Sequence, residues 1–140
     1  MIITEKKYPL NAFRICIDRI EGNVEGRVFS PLQKECIFFA DMGDVLVKMD
    51  ELFDKVGYPQ AFQDKRSFGD GRERFNLYQG VPKGELSAAK IVLQAGKYRT
   101  FDIVVNSRKN TSWQGSIYVE NGMFLSDFDG EIELLTKIIQ

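Results

Sequence analysis

The sequence predicts an α+β fold: a mostly antiparallel sheet with two helices, built as a duplicated βββα unit with pseudo-twofold symmetry. Three observations predict it. Short runs of alternating apolar and polar residues are punctuated by turn residues. Two stretches with apolar residues at helical spacing follow such runs. The order strand–turn–strand–turn–strand–helix occurs twice, near 13–56 and near 100–140.

In the first half, Phe13–Ile20 reads as a strand, because Phe13, Ile15 and Ile17 alternate with Arg14, Cys16 and Asp18. Glu21-Gly22-Asn23 marks a turn, and Val24–Phe29 returns as a second strand that Ser30-Pro31 ends. Cys36–Phe39 is a short third strand. Asp41 stands at an N-cap position, with Asp44 three residues on. Val45, Leu46, Met49, Leu52, Phe53 and Val56 then follow at helical spacing, and Gly57 with Pro59 closes the helix. The connector, 57–99, has no clean period; Phe75–Tyr78 and Ala89–Leu93 read as short strands within it.

The second half repeats the order. Tyr98–Val105 is a strand with Phe101, Ile103 and Val105 on one face, and Ser107–Asn110 is a polar turn. Trp113–Val119 is the return strand, Asn121-Gly122 a hairpin turn, and Met123–Leu125 a third strand. Asp127 or Asp129 is placed to cap a final helix carrying Ile132, Leu135, Ile138 and Ile139. Val24-Glu25-Gly26-Arg27-Val28-Phe29 aligns with Trp113-Gln114-Gly115-Ser116-Ile117-Tyr118. A single three-stranded unit with one helix buries too little surface to stand alone, so two units sharing one core is the expected solution. A chain of 140 residues fits one domain, 1–140.

Composition removes several functions. The chain has no histidine, which excludes a Ser-His-Asp or Cys-His nucleophile pair and any histidine-bearing zinc site. Two cysteines, Cys16 and Cys36, are too few for an all-cysteine site, and both sit in apolar runs as packed thiols. No cofactor and no metal is expected, and catalysis would have to rest on carboxylates, Lys or Tyr. Nineteen basic and 20 acidic residues leave a net charge of −1, too balanced for a polyanion partner over the whole chain. The opening residues lack a signal-peptide stretch and no run approaches a membrane span, so the expected location is cytoplasmic.

The candidate binding residues fall in two places. Arg108, Asn110, Ser112, Trp113 and Gln114 surround the one tryptophan. Trp113 reads either as a core anchor or as a partly exposed recognition anchor. Arg66, Arg72 and Arg74, with Lys65, form the densest basic cluster, which reads either as a phosphate or acidic-surface contact or as a solvated loop. Asn110-x-Ser112-x-x-Gly115 also fits half of the PilZ pattern for cyclic-di-GMP, but the paired arginines it wants upstream are wrongly spaced: Arg72-Glu73-Arg74 is too close. The acidic residues of both helices read as solvated faces and dipole partners, not as a metal site.

The run Asn110-Thr111-Ser112-Trp113-Gln114-Gly115, with Ile17-Asp18-Arg19-Ile20, Glu25-Gly26-Arg27 and Tyr58-Pro59-Gln60-Ala61-Phe62-Gln63, resembles a family of small proteins from clostridia-like Firmicutes that carry an Asn-x-Ser-Trp-Gln-Gly loop. The family's Phe-Arg-Ser between loop and helix is absent here, where Leu125-Ser126-Asp127-Phe128-Asp129 stands instead. The resemblance implies one domain and carries no activity with it. The expected function is a protein-binding module, such as an adaptor, immunity protein or inhibitor. The alternative is nucleotide or nucleic-acid binding through 65–74 and 108–115.

Overall fold

The computed structural model describes residues 7–58, 61–62, 84–109, 112–119 and 122–139. Its elements run β1 (Ala12–Arg19), β2 (Glu25–Phe29), β3 (Ile37–Phe39), α1 (Met42–Val56), β4 (Ala61–Phe62), α2 (Ala88–Val92), β5 (Arg99–Lys109), β6 (Ser112–Val119), β7 (Met123–Asp129) and α3 (Glu131–Ile139). The fold is α+β, as the alternating runs predict. Six strands pair antiparallel in the order β3-β2-β1-β5-β6-β7. β1 covers β5 only as far as Val104, and β4 pairs parallel with β5 beyond it, at Arg108 and Lys109.

Three bulges interrupt the ladders among the described residues, one of them at Leu125 in β7, and the other two set which core-lining side chains face inward. Ile17 pairs with Gly26 and Arg19 with Glu25, so Asp18 is the extra residue in β1. Val105 pairs with Gly115 and Ser107 with Gln114, so Asn106 is the extra residue in β5. An extra residue inverts the alternation beyond it. That inversion puts Arg108 on the same face as Val105.

Helices α1 and α3 cover one face of the sheet. Phe13, Ile15, Ile17, Phe101, Ile103, Val105, Trp113 and Ile117 from the strands meet Val45, Met49, Leu52 and Phe53 from α1 and Leu134 and Ile138 from α3 in one buried cluster. Phe13, Phe53 and Trp113 make mutual tilted and edge contacts with centroids 5.6–6.2 Å apart, a geometry that aromatic quadrupoles favour. On the opposite face, Tyr8, Ala12, Ile91 and Val104 form a smaller cluster under the 84–98 segment.

The α1 ends fall where the sequence sets them. The Asp41 side chain accepts from Asp44 N at 2.8 Å, and Gly57 takes the left-handed conformation at φ 78° as the C-cap. Three expectations are corrected. There are three described helices, not two: residues 88–92 are helical rather than a strand, because Ser87 caps the start and Arg14 donates to the carbonyls of Val92 and Gln94 at the end. Neither Asp127 nor Asp129 caps the last helix, since both lie inside β7; Gly130, at φ 99°, precedes the helix and its carbonyl accepts from Leu134 N at 3.2 Å. The polar turn expected at 107–110 is not found at 107–109, where β5 continues to Lys109. The strand expected over Phe75–Tyr78 lies outside the described residues.

Candidate functional site

Arg108 and Trp113 pair directly across β5 and β6, and both side chains are interior, 3% and 2% exposed. The Arg108 guanidinium donates to Asp50 at 3.1 Å and Asp54 at 2.8 Å, and lies 5.4 Å from the Phe53 ring centre. Trp113 Nε1 donates to the same Asp50 oxygen at 3.0 Å. Together they pin the last turns of α1 to the sheet. The residues read as a recognition anchor are thus enclosed, and they present no surface to a docking partner. Ser112 and Gln114 are half-buried. Ser112 Oγ and Trp113 N donate to Glu131 at the start of α3, at 3.4 and 2.6 Å. Ser107 Oγ donates to Gln114 Oε1 at 2.7 Å, and Gln114 donates to Asp129 at 3.3 Å. Asn110, Arg66, Arg72 and Arg74 lie outside the described residues.

A second polar cluster lies beneath the 84–98 segment. Asp102 accepts from Tyr8 at 2.6 Å and from Arg14 through two parallel bonds at 2.8 and 2.7 Å. Burial, with the Asp102 charge adding to it, raises the Tyr8 phenol well above its ordinary range. Burial also pushes the neighbouring Cys16 thiol up to about 11, which keeps it protonated and unreactive near neutral pH. Every donor and acceptor here is already satisfied within the fold. Nearby, Arg27 grips Asp18 at 2.9 Å and, with Lys97 N, holds its carboxyl below the usual range.

No group of three or more carboxylates and cysteines suited to a metal occurs among the described residues. No described helix is long and apolar enough to cross a membrane. One surface feature among the described residues that internal packing leaves unexplained is an open cleft of about 780 Å³ where β5 begins, β6 ends and β7 begins. Its floor is Phe101 and Val119, and its walls are Tyr98, Met123 and Leu125. Those three wall residues are 55%, 65% and 46% exposed. Arg99 and Lys137 also line it, and among the described residues no carboxylate does.

Sequence reasoning missed this site. The available signal was Met123-Phe124-Leu125, three apolar residues in a row where a half-buried strand alternates. Such a run must leave apolar side chains outside one face of the sheet. No family model matches the chain, nor does any curated protein or solved structure, so the resemblance read from the Asn-x-Ser-Trp-Gln-Gly loop gains no support from them.

Proposed function

We propose that the chain is a protein-binding module made of two copies of a βββα unit, and that a partner docks in the cleft beside the start of β7. The observation that carries the docking reading is the wall of Tyr98, Met123 and Leu125, apolar yet 55%, 65% and 46% exposed. Clustered apolar exposure of this kind marks interaction surfaces on folded chains. The absence of histidine, with Arg108 and the Arg14–Asp102–Tyr8 cluster satisfied internally, favours binding over chemistry.

The reading of two copies rests on pairs of positions held at one constant spacing. Gly26 and Gly115 each pair with the residue before a bulge, and each faces a phenylalanine across the next strand, Phe39 and Phe128. A Cβ on either glycine would stand 1.9 or 1.8 Å from the carbonyl oxygen of Cys16 or Val104. Lys48 donates to the Phe38 carbonyl and pairs with Asp44, while Lys137 donates to the Asp127 carbonyl and pairs with Glu133. Val45 and Met49 match Leu134 and Ile138 in the core. The sheet order reads outward from the β1–β5 pair in the same way on both sides.

The test is co-purification from the native host of the parent chain and two variants. Met123→Ser with Leu125→Ser should lose a stoichiometric partner while its melting curve is unchanged. Ile132→Ser, on an exposed α3 position away from the cleft lining, should keep it. A partner retained by the cleft variant removes the docking reading.

A further inference from the structure

On the outer face of the sheet, opposite α1 and α3, the first half seats a guanidinium between a ring and a carboxylate. Arg27 lies 5.5 Å from the Phe29 ring centre and grips Asp18 through two bonds at 2.9 and 3.1 Å. Ser116 follows Gly115 as Arg27 follows Gly26. Its short side chain donates to Asp127 at 2.8 Å. Beside it, Tyr118 and Phe124 meet edge to face with centroids 5.7 Å apart. Phe124 is 57% exposed and lies across from the cleft that its neighbours Met123 and Leu125 line. Two carboxylates, Asp127 and Asp129, stand exposed on the same side, two residues apart along β7. They accept from Ser116 and Gln114, both neutral. Lys137 bonds the backbone carbonyl of Asp127 from the helix side, and among the described residues no cation pairs with either carboxylate.

We infer that this outer face of β6 and β7 binds an arginine-bearing extended segment of a partner protein, whose guanidiniums pair with Asp127 and Asp129 and lie against Tyr118 and Phe124. The surface lies across the sheet from the cleft and does not depend on what occupies it. Arg27 displays the chemistry within the same chain. One guanidinium serves a ring and a carboxylate together, because its plane stacks while its edge donates. With Ser116 at the corresponding position, the rings and carboxylates are open to a guanidinium from a partner. The spacing sets the form of the segment. Asp127 and Asp129 lie about 7 Å apart along β7, which is the repeat of side chains on one side of any extended chain. A segment with arginine at every second residue therefore presents both guanidiniums to that side, whereas adjacent arginines point apart. Lysine carries the charge but neither donates in parallel to a carboxylate nor stacks, so arginine is the better fit. The paired charges set which segments are accepted, and the rings supply the area.

The probe is a dye-labelled peptide of sequence Thr-Arg-Thr-Arg-Thr, capped at both ends. Its fluorescence anisotropy is followed on titration with the full chain at low ionic strength. Saturable binding is expected, weakened about fivefold or more when lysine replaces both arginines or when the two arginines are made adjacent. On the protein side, Asp127→Asn/Asp129→Asn and Phe124→Ser should each weaken it about tenfold or more, with the melting curve unchanged. Glu35→Gln/Glu51→Gln, which removes two exposed carboxylates elsewhere, should bind as the parent does. Equal binding of the arginine and lysine peptides overturns the inference, because any cation would then serve. An equal loss in Glu35→Gln/Glu51→Gln and Asp127→Asn/Asp129→Asn overturns it as well, as a property of overall charge. So does binding that survives both the aspartate and the Phe124 variants, or absence of binding up to about 1 mM. A parent chain that sediments as a dimer, and as a monomer once Asp127→Asn/Asp129→Asn is introduced, would place a second copy on this face and overturn the partner segment.

Discussion

At the residue scale, the Arg14–Asp102–Tyr8 cluster carries the sharpest energetic consequence. Arg14 and Asp102 are almost wholly enclosed, with side chains 9% and 3% exposed. Replacing Asp102 by Ala leaves a buried guanidinium and a phenol without their acceptor, a loss that costs about 3–5 kcal/mol for a broken buried pair. Chemical denaturation of Asp102→Ala should show it; a midpoint near the parent's would mean that water reaches the cluster and replaces the carboxylate. The same region sets an alkaline limit. Tyr8 and Cys16 both have raised pKa values in the fold, so the folded chain holds protons that the unfolded chain releases. Stability from Cys16 is therefore complete below its unfolded value of 9.0 and is lost as pH rises through about 11; Tyr8 extends the decline in the same direction. The melting temperature should fall between about pH 8 and about pH 10.5, and Cys16→Ala should flatten part of that fall. A fall of the same size in Cys16→Ala would assign the whole effect elsewhere.

At the element scale, the two close approaches at Gly26 and Gly115 make a paired prediction. An added methyl at either position meets a carbonyl oxygen of the neighbouring strand, so the strands must separate or the bulge must rearrange. Gly26→Ala and Gly115→Ala should each cost about 2–4 kcal/mol, with like effects on the melting curve. Gly22→Ala is the comparison: its φ is 78° but its surroundings are open, and about 1 kcal/mol is expected. If only one of the two strand glycines proves sensitive, their equivalence fails. These glycines also mark how much of the element order was legible. The strands holding Gly26 and Gly115 were legible from apolar alternation, and each glycine pairs with the residue before a bulge, Ile17 and Val105. The α1 ends were legible because Asp41 and Gly57 act through local backbone bonds. The α2 helix was not, since part of what closes it is Arg14, distant in the chain. Arg108 was misread as a surface group because its inward direction comes from the Asn106 bulge. A bulge depends on the partner strand, and a single strand's alternation does not contain it.

At the scale of the whole molecule, the outermost strands of the sheet among the described residues are β3 and β7, and a lysine from a helix reaches each. An outer strand offers unpaired backbone groups to any further strand, and cations placed against it discourage that pairing. Lys48 reaches from α1 to the Phe38 carbonyl at 2.9 Å, steadied by Asp44 at 2.9 Å. Lys137 reaches from α3 to the Asp127 carbonyl at 3.4 Å and also donates to Ser126 Oγ. Each lysine brings its charge to the strand where an added ladder would form. The strands differ in what they would do if unguarded: β3 has three residues and β7 has seven. Three residues are too few for a lasting ladder, whereas seven match an ordinary strand. Lys137→Met should therefore raise the weight-average sedimentation coefficient with increasing protein concentration relative to the parent, and Lys48→Met alone should not. Lys137→Arg, which keeps the charge and donors, should behave as the parent. A Lys137→Met chain that sediments as the parent does at every concentration would show that the bulge at Leu125 and the charges of Asp127 and Asp129 suffice to keep β7 closed.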